Sequence, residues 1–238
     1  MTVLTSSTSN DALPKRPATF WLVCLASCVS ILLGAMSIAT ANANAAAYST
    51  FNGTKHKPAK DGAQVQPDNY YPRVNMVTSM GDFIIELDRR KAPITVNNFL
   101  KYVVLRSYED TIFHRVIPDF VVQGGGYTKE FDVKPSLGKI YNESGNGLKN
   151  ELYTVAMARQ LDPHSATRQF YINMRDTPSL DPGKNWGYAV FGYVAEGSDV
   201  LDKITAVETQ YSMALRAPDV PIEPVMLIRV EILPEPTY

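Results

Sequence analysis

Residues 113–126 read FHRVIPDFVVQGGG, and this stretch predicts more of the fold than any other part of the chain. Apolar and polar residues alternate from Thr111 to Val116, which is typical of a β-strand with one buried face. A Pro-Asp turn follows at residues 118–119, and a second apolar run ends in Gln123 and three glycines. The pattern therefore predicts a strand, a tight turn, a second strand and a sharp bend of the backbone.

Arg115 stands between apolar neighbours in the first of these strands. Burying an arginine is costly unless the side chain is paired or used by a ligand. Phe120 and Gln123 belong to the same short segment, so the hairpin is expected to offer a fixed cation, an aromatic ring and an amide. An isolated arginine in a strand is most often a structural ion-pair partner, so a functional role for Arg115 depends on the motifs around it.

Length and composition set the broad class of the protein. With 238 residues, of which 45% are hydrophobic, the chain is long enough for one sizeable domain and an attached segment. The formal net charge is −1 and the basic residues form no stripe, so nucleic-acid binding is disfavoured. Both cysteines, Cys24 and Cys28, lie in an N-terminal apolar run, which leaves the predicted domain without a thiol for a disulfide, a metal or nucleophilic catalysis.

Residues 1–43 have the features of an export signal. Lys15 and Arg16 precede an uncharged stretch at residues 20–38. Ala-x-Ala cleavage sites follow, with expected cleavage after Ala41, Ala43 or Ala45. This pattern predicts an exported protein.

Two other interpretations of this N-terminal segment remain open. The apolar stretch is about as long as the roughly 18 residues that cross a bilayer, so an uncleaved anchor in the inner membrane, with the domain facing the periplasm, is the main alternative. Residues 25–28 also resemble a lipoprotein cleavage box. However, apolar residues continue after Cys28, where a lipoprotein has a polar tether.

The rest of the chain divides into a linker and one domain. Residues 44–72 lack an apolar period, which predicts a flexible linker. Apolar residues at i, i+3, i+4 and i+7 within residues 96–103 predict a helix that begins near Pro93, and a second helix is expected after Asp199. Many short strands with Gly, Pro and Asn turns favour a barrel or a sandwich over residues 73–238.

The chain resembles the cyclophilin peptidyl-prolyl isomerases, in particular the small bacterial ones. The run FHRVI…F…QGGG carries the resemblance. Further matches follow in the same order: Asn142-Glu143, residues 146–150, 156–159, 163–167 and 169–173, and Trp186-Gly187-Tyr188 with Val190-Phe191-Gly192. The resemblance implies a mainly β fold, a closed eight-stranded antiparallel β-barrel capped by two α-helices.

The activity implied by the resemblance is rotation about X-Pro bonds of exported proteins, which assists their folding. The barrier to this rotation is about 18–20 kcal/mol because amide resonance is lost, and no covalent bond is broken. A catalyst therefore needs a dry pocket for the proline ring and a donor that favours the twisted amide, but no cofactor. The expected partners are proline-containing unfolded or folding polypeptides, and the protein is expected to be a monomer that binds no nucleic acid.

The resemblance also implies roles for individual residues. Catalytic roles fall on Arg115, Phe120 and Gln123, with Arg115 as the charged donor. Substrate-binding roles fall on seven further positions: Val121, Ala158, Arg159, Gln169, Tyr171, Leu180 and Tyr188. The three histidines show no metal-ligand spacing, so no metal site is predicted.

Four positions depart from a common pattern of the family. Tyr188 replaces a histidine that is common in eukaryotic members, as it does in bacterial ones. Tyr171 stands where many members have phenylalanine, and its hydroxyl needs a hydrogen-bond partner or water. Val121 replaces a frequent methionine. Ser179 aligns with the tryptophan that often accompanies cyclosporin sensitivity, which argues against high-affinity cyclosporin binding.

A binding module is the rival interpretation. In it, the same fold holds proline-containing segments as a non-catalytic chaperone or as a membrane-tethered scaffold. The presence of Arg115, Phe120 and Gln123 together favours the enzyme, because a protein that only binds proline does not need the cation.

Overall fold

Eight strands close into an antiparallel barrel in the computed structural model, which describes residues 61–183 and 185–235. The described residues form ten strands: β1 (Arg73–Thr78), β2 (Gly81–Leu87), β3 (Thr111–Ile117), β4 (Val121–Gly124), β5 (Thr154–Met157), β6 (Phe170–Asn173), β7 (Val190–Glu196), β8 (Thr209–Ser212), β9 (Ala217–Pro221) and β10 (Met226–Ile232). The order around the barrel is β1-β10-β3-β4-β6-β5-β7-β2, and β8 pairs with β9 in a separate hairpin.

The described part of the chain also contains two α-helices, α1 (Pro93–Val104) and α2 (Ser198–Thr205). Pro93 occupies the first turn of α1, where its fixed backbone angle and missing N–H do no harm. Val96 and Phe99 lie on the buried face of this helix, as the spacing predicts. The predicted eight-stranded antiparallel barrel with two helices is confirmed.

Aromatic side chains connect α1 to the interior of the barrel. The ring centroid of Phe99 lies 5.0 Å from that of Tyr108, 5.7 Å from Phe170 and 5.4 Å from Phe191. Phe113 of β3 meets Phe170 edge to face at 6.3 Å. All five rings are buried, and burial of each such side chain contributes about 1.5–3 kcal/mol relative to exposure.

The N-terminus of α1 is capped by a residue from a distant loop. Ala92, at the N-cap position, has no side-chain acceptor. Instead, the carboxylate of Glu143 accepts hydrogen bonds from the backbone N–H groups of Ile94 and Thr95, at 3.1 and 2.8 Å. A negative charge at this helix end is also favoured by the helix dipole. The contact fixes the loop around Glu143 against the domain.

Residues 61–72 belong to the predicted linker, but the structure packs them against the barrel domain. Val65 joins the hydrophobic core. Gly62 is buried against α1, where an added Cβ would lie 1.8 Å from the carbonyl oxygen of Asn97. The packed domain therefore begins before residue 73.

Arg89, between β2 and α1, holds this segment in place. Its guanidinium donates hydrogen bonds to the backbone carbonyls of Val65, Gln66 and Asn69, at 2.7, 2.6 and 2.8 Å. Its Nε donates to Oδ1 of Asn97 at 3.0 Å. Composition could not indicate this packing, because the donor that satisfies these carbonyls lies 23 residues after Gln66 in the chain.

The predicted export signal and the remainder of the predicted linker lie outside the described residues. Within the part of the chain that the structure describes, no helix is long and apolar enough to cross a bilayer.

Arg89→Met is expected to lower the free energy of unfolding by about 2–4 kcal/mol, because several backbone carbonyls lose their donor. It is also expected to make the peptide bonds of residues 61–72 more sensitive to protease. Urea unfolding and limited proteolysis measure the two effects. Arg90→Met, which changes the exposed neighbour, is the matched control, and equal behaviour of the two variants would contradict the role of Arg89.

Candidate active site

A β-bulge in β3 directs Arg115 away from the barrel core. In the pairing of β3 with β4, Phe113 lies opposite Gly124 and Arg115 lies opposite Gln123, so one residue of β3 has no partner. Strict alternation would place Arg115 on the same face as Phe113, which is in the core. The bulge shifts this alternation, and Val116 enters the core instead.

The site then extends across the outer face of the barrel as a row of cross-strand neighbours. Gln123 of β4 pairs with Tyr171 of β6, Tyr171 pairs with Ala156 of β5, and Ala156 pairs with Val190 of β7. Val121, Ala156, Tyr171 and Val190 form a buried apolar cluster of their own, separate from the barrel core. This second cluster is the floor of the site.

A cavity of about 280 Å³ opens above this floor. Nine of the ten predicted site residues line it: Arg115, Phe120, Val121, Gln123, Ala158, Arg159, Tyr171, Leu180 and Tyr188. The tenth, Gln169, lines an adjoining cavity of about 640 Å³. Oε1 of Gln169 accepts a hydrogen bond from Nε2 of Gln123 at 2.9 Å, so Gln169 is connected to the 280 Å³ cavity through Gln123.

The two arginines of the 280 Å³ cavity differ in how they are held. The guanidinium of Arg159 lies 4.5 Å from the ring centroid of Tyr188, and it donates to the carbonyls of Gly187 and Gln160 at 2.9 and 2.8 Å. The guanidinium of Arg115 lies 5.9 Å from the ring centroid of Phe120. Among the described residues, the guanidinium of Arg115 forms no ion pair and donates no hydrogen bond. Its donors are therefore available to a ligand.

The matched family fits this geometry. Residues 73–232 match the family described as cyclophilin type peptidyl-prolyl cis-trans isomerase/CLD. This chain belongs to the cyclophilin family. The family resemblance predicted from the motifs is confirmed, and so is the enzyme class, peptidyl-prolyl cis-trans isomerase.

Bacterial cyclophilins are among its relatives. The peptidyl-prolyl cis-trans isomerase cyp18 of Streptomyces antibioticus is 50% identical over 164 residues, which are 67% of this chain and 98% of that protein. Peptidyl-prolyl cis-trans isomerase B of Escherichia coli is 45% identical over 163 residues, which are 67% of this chain and 98% of that protein. A crystal structure of a Cryptosporidium parvum cyclophilin has the same fold, with a TM-score of 0.58 and 24% identity over 70% of this chain and 100% of that one.

The hydroxyl of Tyr171 in this cyclophilin has a hydrogen-bond partner within the protein. It donates to Oδ1 of the buried Asn150 at 2.9 Å. The backbone N–H and Nδ2 of Asn150 in turn donate to Oδ1 of Asp181, at 2.8 and 3.0 Å. Burial raises the pKa of Tyr171, so the hydroxyl stays a donor. Although burial acts in the opposite direction, the hydrogen bonds from Asn150 lower the pKa of Asp181.

This chain of hydrogen bonds joins two walls of the cavity, Tyr171 on β6 and Leu180 next to Asp181. The motifs did not assign any role to Asn150 or Asp181. The one sequence signal was the extra hydroxyl of Tyr171, which required a partner but did not identify it. Residues 150 and 181 are 31 positions apart, so only the fold brings them together.

Gly187 fixes the backbone beside Tyr188. Its φ of +65° is in the left-handed region, and an added Cβ would lie 2.4 Å from the backbone nitrogen of Pro182. Its carbonyl accepts hydrogen bonds from Nε of Arg159 at 2.9 Å and from Nδ2 of Asn142 at 3.2 Å. The cavity wall is therefore held from two sides.

His114 is the residue of β3 that has no cross-strand partner at the bulge, and it is buried. Its ring lies edge to face with Tyr127, at 4.7 Å between centroids. Burial, and then the positive charge of Arg115, lower the pKa of His114 from 6.5 to about 4. His114 is therefore neutral in the folded protein at neutral pH. Among the described residues, no group of three or more His, Cys, Asp and Glu side chains could hold a metal ion.

The stability of the protein is expected to fall in mild acid because of His114. In the unfolded chain this imidazole takes up a proton near pH 6.5, but in the folded protein only near pH 4. The contribution of the neutral imidazole to the free energy of unfolding is complete above about pH 7. It is lost as the pH falls toward about 4, and the loss amounts to up to about 3 kcal/mol. The His114→Gln variant lacks this titrating group, so its free energy of unfolding should fall less than that of the wild type as the pH is lowered. Denaturant unfolding across this pH range measures the difference, and identical pH profiles would exclude His114 as the titrating group.

Proposed function

We propose that this cyclophilin accelerates cis-trans exchange of X-Pro bonds in exported proteins as they fold. The proline ring occupies the 280 Å³ cavity, against the apolar walls formed by Phe120, Tyr171 and Leu180. Removal of the ring and its amide from water strengthens every electrostatic contact inside the cavity. The walls therefore bind the proline and also prepare the environment in which its amide rotates.

The free guanidinium of Arg115 is the observation that carries this proposal. In a planar amide the nitrogen lone pair is delocalised and accepts no hydrogen bond, whereas in the twisted transition state it is localised and becomes an acceptor. A fixed cationic donor at this position therefore stabilises the transition state more than the ground state. Because the Arg115 guanidinium has no hydrogen-bond acceptor and no ion-pair partner among the described residues, it can make this contact without breaking a hydrogen bond or an ion pair.

Gln123 is suited to hold the client backbone next to the rotating bond. It lines both the 280 Å³ cavity and the adjoining 640 Å³ cavity. Its Nε2 is oriented by Oε1 of Gln169, which leaves the carbonyl oxygen of Gln123 free to accept from a client N–H. A Cryptosporidium parvum cyclophilin was crystallised in the presence of the dipeptide Ala-Pro, which supports a proline-containing ligand for this fold.

Arg115→Ala is expected to lower kcat/KM for exchange of a short X-Pro peptide by about a hundredfold or more, because one preorganised donor is lost from the transition state. Arg115→Lys keeps the charge but not the planar fork of donors, so an intermediate loss is expected. NMR exchange spectroscopy of the peptide with catalytic amounts of protein measures these rates.

Arg175→Ala is the matched control, because Arg175 is exposed and lines neither cavity. Circular dichroism establishes that each variant is folded. A folded Arg115→Ala protein with full activity would remove Arg115 from the mechanism. A wild-type protein that binds the peptide without accelerating its exchange would overturn the proposal in favour of the non-catalytic binding module.

We also propose that the protein works in the periplasm. The support is Lys15 and Arg16 before the uncharged stretch at residues 20–38, with Ala-x-Ala sites after it. Cell fractionation followed by mass spectrometry is expected to find a soluble periplasmic protein that begins after Ala41 or one of the next two cleavage sites. An intact N-terminus in the membrane fraction would indicate the anchored form instead, and an intact cytoplasmic protein would overturn export.

A further inference from the structure

A second opening lies directly beside the proposed proline cavity. It has a volume of about 430 Å³. Arg159, Leu180 and Tyr188 line both openings, so these side chains form a shared wall. A polypeptide extends by about 3.3 Å per residue, so a client that leaves the first cavity in this direction reaches the second within a few residues.

The 430 Å³ opening is bordered by apolar side chains that face solvent. Leu161 is 99% exposed and Trp186 is 54% exposed, and Pro163 lies with them on the same opening. We call Leu161, Pro163 and Trp186 the apolar shelf. Polar side chains, among them Ser179, Asp181 and Asn185, line other parts of the opening. Single exposed apolar residues are normal on soluble proteins, but three on one opening beside a binding site indicate a contact surface.

Trp186 of the apolar shelf is held in place by neighbouring residues. The ring of His164 lies edge to face with Trp186, at 4.9 Å between centroids, and its Nδ1 accepts from the backbone N–H of Asn142 at 3.1 Å. The hydroxyl of Ser144 donates to the carbonyl of Trp186. These contacts fix Trp186. A side chain that is already fixed loses little conformational freedom when a ligand binds.

We propose that the apolar shelf binds a large apolar side chain, aromatic or leucine, of the same client whose proline occupies the neighbouring cavity. The proposal rests on the proposed function, because the proline anchors the client and the shared wall of Arg159, Leu180 and Tyr188 joins the two openings. Continuity with the proline cavity makes the client, rather than a separate partner, the occupant.

A preference for unfolded clients follows from this arrangement. Large apolar side chains are mostly buried in folded proteins, so those near a proline are exposed mainly before folding is complete. Binding through both openings therefore selects segments that still have to enter a core.

The test uses short peptides that contain one proline flanked by alanines, and a series in which phenylalanine replaces one alanine before or after the proline. At one position, phenylalanine is expected to raise kcat/KM by about fivefold or more over the alanine parent. At that position, intermolecular nuclear Overhauser contacts from the phenylalanine ring to the Leu161 methyl groups and the Trp186 indole are expected. Leu161→Ser and Trp186→Ala are each expected to remove most of the gain, with the rate on the parent peptide as the reference for each variant.

Met213→Ser is the matched control, because Met213 is 81% exposed and borders none of the three openings. It is expected to keep the full gain. Absence of both the gain and the ring contacts at every position, while the parent peptide is still isomerised, would overturn the apolar shelf and leave the proposed function intact. If the parent peptide is bound but not isomerised, the proposed function fails, and the ring contacts alone then decide whether the shelf binds apolar side chains.

Discussion

The β-bulge at His114 is the constraint on which the site depends. The barrel core and the site use the same strands, and their side chains alternate between the two faces. Without the extra residue, Arg115 would enter the core beside Phe113, where an unpaired charge costs several kcal/mol. With it, the aromatic core remains apolar and the cation reaches the outer face opposite Gln123. The bulge also leaves His114 buried and neutral at neutral pH.

The arginines of this protein show how one residue type serves both stability and function. Arg89 donates to backbone carbonyls of the segment before β1, and Arg168 donates to the carbonyls of Gly125 and Pro135, each at 2.7 Å. These two side chains are buried and their donors satisfy backbone that no strand pairs. The guanidinium of Arg115 instead lies at a cavity and donates to no backbone carbonyl among the described residues. The difference in partners, rather than in burial alone, separates the structural arginines from the candidate catalytic one.

The walls of the cavity are held through a connected set of hydrogen bonds that begins at α1. Glu143 caps this helix, and its neighbours Asn142 and Ser144 hold the carbonyls of Gly187 and Trp186. The same contacts hold Trp186 and the backbone beside Tyr188, which lines the 280 Å³ cavity. A rotation catalyst forms no covalent bond, so its rate depends on how well such walls and donors are preorganised.

Local pattern alone determined the hairpin of β3 and β4 and the buried face of α1, because strand and helix periods repeat within a few residues. The roles of Arg115, Phe120 and Gln123 came instead from the resemblance of the surrounding motifs to the cyclophilins. The tertiary structure decided which face Arg115 occupies, since a single unpaired residue shifts the alternation and is visible only in the cross-strand register. It also decided the partner of Tyr171 and the packing of residues 61–72, because Asn150 and Arg89 act across about 20 residues of chain or more. Such contacts have no local period, and only the closed barrel brings them together.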